Sequence, residues 1–144
     1  MITKFRKWQP VVWLNVLLLL VWHAILPSHA KAEAIKMRCV EIDNKHFTPQ
    51  LAKLYAKSIM DWYGWNNSEY KALVKLWTAE SNWRPLAYNK ITVDGKNAGG
   101  IPQILGLDPA TPAPDQIDKG LTYIKERYGK PSVAWAFHRK NNWY

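Results

Sequence analysis

"NNSEYKALVKLWTAES", residues 66–81, is the stretch whose reading decides the fold. Tyr70, Leu73, Val74 and Trp77 recur at the three- and four-residue spacing of one helical face, while Lys71 and Lys75 fall elsewhere on the wheel. Such a stripe is stable only when buried against other elements, and Ser68 is a candidate N-cap for it. Glu80 continues the stripe three residues beyond Trp77 and seven beyond Leu73, so an acid points where the apolar face points.

Outward from this helix, "FTPQLAKLYAKSIMDWYGW" predicts an earlier one. Thr48 suits the N-cap, Pro49 the first turn and Gly64 the end. Leu51, Leu54, Tyr55, Ile59 and Trp62 fall roughly on one face of it. Residues 33–47 lack clear periodicity and read as a linker or N-terminal arm. On the other side, the pattern breaks from Pro85 to Leu107, where "ITVDGKNAGG" combines a β-prone piece, an Asp-Gly turn signal and a glycine pair. "LDPATPAPD" is a proline-rich connection. Asp115 is a candidate cap for a third helix with Ile117, Leu121, Ile124 and Tyr128 as its stripe and Gly129 as its end. A short helix after Pro131 and an aromatic tail complete the chain. The expected fold class is mainly α: a small helical domain over residues 65–144 with a long central loop or short β-hairpin, preceded by an arm and first helix at 33–64.

The 144 residues favour a single domain. Residues 1–32 read as something else: Lys4, Arg6 and Lys7 form a basic head, residues 11–26 a nearly continuous apolar run, and Ala30 and Ala32 an A-x-A-like exit. The run reaches about 24 Å as a helix, short of a membrane core of about 30 Å. A cleaved secretory signal is therefore expected over an uncleaved anchor, which places the protein outside the cell or in its envelope. The segment still allows transient membrane contact. Losing Lys4, Arg6, Lys7 and Lys31 would lower the net charge from +9 to +5. The remaining positive charge suits an anionic partner, although solubility alone accounts for it equally well. Nucleic acid is not expected, because the basic residues are scattered and no phosphate cradle of glycines appears. One cysteine, Cys39, permits no internal disulfide. His46 and His138 lack ligand spacing with it, so neither a metal nor another cofactor is expected.

Glu80 carries the chemistry. Burial beside Trp77 and Trp83 disfavours a charged carboxylate, and the C-terminal end of a helix disfavours it again. A carboxyl that keeps its proton near neutral pH is what a general acid needs to protonate a glycosidic oxygen. The plainer reading is a solvated glutamate near a helix end. Glu69, Asp115 and Asp118 sit near helix starts, where the dipole favours them, whereas Glu80 alone is embedded in an apolar stripe.

"LWTAESNWRPLAYN" resembles the Glu-Ser motif of the soluble lytic transglycosylase-like domains within the lysozyme-like superfamily. "GGIPQI" is similar to the glycine-x-x-glutamine element that follows it, at Gly100 to Gln103. "GLTYIKERYGKPSVAWAFHRKNNWY" resembles the closing segment of the actinobacterial and phage forms. The likeness covers residues 65–144. It implies a helical lysozyme-like fold and cleavage of the β-1,4 bond between N-acetylmuramic acid and N-acetylglucosamine in peptidoglycan glycan strands. Glu80 matches the single acid/base, with a 1,6-anhydro product. Ser81 matches the serine that helps hold the glutamate and the sugar, and Gln103 the glutamine lining the cleft. Trp135 and His138 match the third motif loosely, and Trp83 and Trp135 are candidate sugar contacts. Gly99 stands where the family often has an aromatic, Ala134-Trp135-Ala136 replaces Ala-Tyr-Asn, and the loop after Gln103 is short. A monomer is expected.

Two alternatives remain open. Asp94 could serve as a second carboxylate for muramidase-type hydrolysis, although an Asp-Gly turn is the plainer role. The domain could also bind cell wall without cleaving it.

Overall fold

Helix α1 (Ser28–Val40) is the first element of the computed structural model, which describes residues 28–144. The basic head and apolar run of the expected export segment thus lie outside the described residues. Residues 33–47 do not form the expected linker, because most of them continue α1. Ala32 and Cys39 are buried and Ile35 is half-buried, so the helix does have a packed stripe at helical spacing. Small residues carry it, and that hides it from a hydrophobicity pattern.

Helix α2 (Pro49–Ile59) begins as expected, with the Thr48 hydroxyl accepting from the Leu51 N–H at 3.2 Å. A 3₁₀ turn (Met60–Tyr63) follows, and Gly64 reverses the chain at a φ of 70°. The buried face of α2 is Ala52, Tyr55, Ala56 and Ile59, whereas Leu54 is exposed, contrary to the expected stripe. Helix α3 (Asn67–Ser81) is capped by Asn66 rather than Ser68: the Asn66 Oδ1 accepts from the N–H groups of Ser68 and Glu69 at 3.0 and 3.3 Å.

The central region forms a three-stranded antiparallel sheet in the order β1 (Tyr88–Val93), β2 (Lys96–Gly99), β3 (Ile104–Leu105). Asp94 and Gly95, at φ 48° and 73°, make the tight turn of the β1–β2 hairpin. Helix α4 (Ala113–Tyr128) and helix α5 (Pro131–Asn141) complete the fold. Asp115 lies in the first turn of α4 and does not cap it. Asn44 does so across the chain, its Oδ1 accepting from the Ala113 N–H at 2.9 Å while its Nδ2 donates to the Pro109 and Thr111 carbonyls.

All five α-helices of the described residues place side chains in one core, from Ala32 on α1 to Ala134 on α5. Trp77 and Trp83 meet edge-on at its centre with ring centroids 5.0 Å apart, both fully buried. Gly120 lets α4 close on them: a Cβ there would lie 2.6 Å from the Trp77 ring and 2.8 Å from Pro102. The fold class is therefore mainly α with a small sheet, as the sequence predicts.

Candidate functional site

The last turn of α3 sets Glu80 against α5 and the closing segment. The carboxyl is largely enclosed, with 15% of the side chain exposed, and Oε1 is buried without a hydrogen-bond partner among the described residues. Burial pushes its pKa up to about 7 from an ordinary 4.5. No neighbouring acid contributes to this. Three carbonyls at this end of the helix are occupied. Thr78 and Trp77 accept from the Asn82 and Trp83 N–H groups, and Ser81 from the backbone and Nε of Arg84.

His138, on the last turn of α5, places Nε2 3.1 Å from Glu80 Oε1. The N–H direction is not aligned on the oxygen, so this is a close contact rather than a formed hydrogen bond. Burial also lowers the pKa of His138, which favours the uncharged imidazole. Trp135 stacks on that ring at 5.5 Å with 17° between planes, and the Arg139 guanidinium lies 5.9 Å from the Trp135 ring. Trp135 is half-buried, so it keeps an open surface beside the acid.

Of the other expected site residues, Ser81 and Trp83 are buried, Gln103 is half-buried and Asp94 is exposed. Ser81 is buried, and its hydroxyl donates to the Ile101 carbonyl at 2.6 Å, tying the helix to the loop before Gln103. Trp83 is fully buried and donates from Nε1 to the Val74 carbonyl, so it belongs to the core and cannot form a sugar platform. Gln103 takes a left-handed φ of 52°, and its amide donates to the Gly100 and Ala87 carbonyls at 2.8 and 3.3 Å. It makes no hydrogen bond to Glu80. Asp94 is exposed at the hairpin tip.

Two tyrosines join Glu80 that the sequence pattern assigns to the core or the tail. The Tyr144 hydroxyl accepts from Trp77 Nε1 at 2.9 Å and donates to the Pro102 carbonyl at 2.7 Å. Burial holds its pKa far above the usual range, and the Glu80 charge adds to this. The Tyr128 hydroxyl is buried without a hydrogen-bond partner among the described residues; burial raises its pKa, with a smaller contribution from Glu80. A hydroxyl at the end of an apolar stripe is the signal for Tyr128, whereas periodicity contains no signal for Tyr144.

Gln116 is a third residue the pattern does not reveal. It is fully buried, its Oε1 accepts from the Ile101 N–H at 2.9 Å, and its Nε2 donates to the carbonyls of Pro85, Pro109 and Thr111. It thereby fixes the loops on both sides of the sheet. Elsewhere, Val40, Asp43, Lys45, Leu86 and Pro112 help to line a concavity of about 470 Å³ that does not include Glu80. The Glu41 carboxylate lines it as well. Among the described residues, no three His, Cys, Asp or Glu side chains converge as a metal site. Comparison of the chain with protein-family models, curated proteins and solved structures finds no match.

Proposed function

We propose that the protein is a peptidoglycan-cleaving enzyme of the lytic transglycosylase kind, exported to the cell envelope, with Glu80 as its single acid/base. One observation carries the reading: a largely enclosed carboxyl whose Oε1 has no hydrogen-bond partner among the described residues, so that burial raises its pKa to about 7. In this mechanism Glu80 protonates the bridging oxygen between N-acetylmuramic acid and N-acetylglucosamine. The resulting carboxylate then takes the proton of the muramyl 6-hydroxyl as that oxygen attacks the anomeric carbon, giving the 1,6-anhydro sugar. Burial serves both halves, because it keeps the proton on Glu80 near neutral pH, ready for the sugar oxygen, and makes the resulting carboxylate a stronger base for the 6-hydroxyl proton. Trp135, half-buried and stacked on the His138 ring, offers an aromatic surface to a sugar.

A two-carboxylate hydrolase has less support. Asp94 sits in an exposed turn, and no other acid perturbs Glu80. Digestion of purified peptidoglycan followed by mass spectrometry of the muropeptides tests the proposal. Anhydro ends, one water lighter than hydrolytic ends, are expected. Glu80→Gln should lower the rate by about 10²–10⁴-fold while the protein stays folded. Full-mass reducing ends would point to the hydrolase. Sedimentation with the wall without release of fragments would point to a binding module.

A further inference from the structure

We propose that His138 is a positioning residue for Glu80, donating its Nε2–H to the carboxylate that remains once the acid has released its proton. The inference rests on the acid/base role of Glu80 described above. Geometry supports it first. Nε2 is 3.1 Å from Oε1, both side chains are 15% exposed, and Oε1 has no other partner among the described residues. A buried carboxylate left without a donor is costly, so the ionised half of the cycle needs one.

The other groups that face the acid do not supply that donor. The Tyr144 hydroxyl, on the closing segment, already spends its proton on the Pro102 carbonyl. The Tyr128 hydroxyl, on α4, is near enough to feel the charge of Glu80 but forms no hydrogen bond with it. His138 is held in place from both sides. Trp135 stacks on its ring, and the far end of α5 is pinned by Glu69, whose carboxylate accepts from the N–H and hydroxyl of Ser132 at 2.8 and 3.0 Å. A small rotation of the imidazole brings its N–H onto Oε1, a tightening expected when substrate closes the site.

The proton balance is simple. Glu80 loses its proton to the bridging oxygen, whose bond to the anomeric carbon breaks with the electron pair leaving on the departing sugar. Its carboxylate accepts the Nε2–H hydrogen bond, then takes the proton of the 6-hydroxyl. His138 itself neither gains nor loses a proton. It lowers the energy of the intermediate charge and leaves the other carboxyl oxygen for the substrate.

Carbon-13 NMR titration of the Glu80 carboxyl in the full protein, assigned with Glu80→Gln, tests this without relying on turnover. His138→Phe keeps the site dry but removes the donor. It should raise the Glu80 midpoint by about 1 pH unit, and His138→Gln, which restores an N–H, should return it towards wild type. The basic limb of the peptidoglycan rate profile should move in parallel. Should the Phe variant not fold, His138→Leu takes its place. An unchanged midpoint in a folded Phe or Leu variant overturns the proposal. A shifted midpoint in a protein that releases no muropeptides upholds the contact and rejects the wall-cleaving reaction instead.

Discussion

Protonation of Glu80 links activity to stability. Its carboxyl ionises near 4.5 in the unfolded chain and near 7 in the folded one, so the native state holds a proton that the unfolded state has released. That contribution is complete below about pH 4.5, is lost as pH rises towards 7, and stays lost above. Glu80→Gln, which cannot ionise, should therefore be more stable than wild type at pH 8, by up to about 3 kcal/mol. At pH 4 the two should be nearly equal. Urea unfolding at the two pH values checks this. An equal difference at both would mean that Glu80 ionises in the folded protein as it does in water. The acid was legible in the sequence because it broke an apolar stripe. The direction of its pKa shift was legible too, and so was its cause, burial; what periodicity does not show is that the helix carbonyls at residues 77, 78 and 81 find partners. Trp83 was misplaced for a related reason: a tryptophan beside an acid reads equally well as platform or core, and only the packing on Trp77 decides.

At the scale of elements, α2 and α3 carry local caps, whereas α4 and α5 are held at their N-termini by residues from elsewhere in the chain. Glu69 in the first turn of α3 binds the N-terminus of α5, and Asn44 before α2 binds that of α4. A sequence reading looks for a cap just before the helix it closes, which is why Asp115 was expected where Asn44 acts. Glu69→Ala should cost about 1–2 kcal/mol in chemical denaturation, the range of a lost cap joined by a lost charge-assisted bond. The effect should be largest in amide exchange of α5. Gly120→Ala adds a methyl group where Trp77 and Pro102 already meet α4, and should cost about 1–3 kcal/mol through overpacking, read as a lower melting temperature. Exchange of glycine for alanine in an open helix would instead stabilise it, so the sign of the change tests the packing.

Across the whole molecule, α1 is tied to the rest by a half-buried polar junction as well as by its small apolar stripe. Asp118 on α4 accepts from the Tyr55 hydroxyl at 2.8 Å and also pairs with Lys36 of α1, while Asp115 stands 3.8 Å from the same ammonium. Three helices thus meet at one carboxylate. Tyr55 is fully buried, so Asp118→Ala leaves its hydroxyl without this partner and should cost about 1–3 kcal/mol. Amides of α1 should then exchange early, ahead of those in α3. If α1 exchanges no faster in the variant, the junction does not hold it. No sequence pattern announces such a link, because residues 36, 55 and 118 are joined only by the packed fold.

The elements that enclose Glu80 follow it in the chain and leave the ribosome after it. His138 comes from α5 and Tyr144 from the segment after it, both translated well after α3. Until they emerge, the glutamate of a nascent chain sits in water and behaves as an ordinary carboxylate. Its unusual hold on a proton is acquired only when α5 docks, so a nascent chain stopped short of that helix would carry an ordinary carboxylate however well its earlier helices had formed.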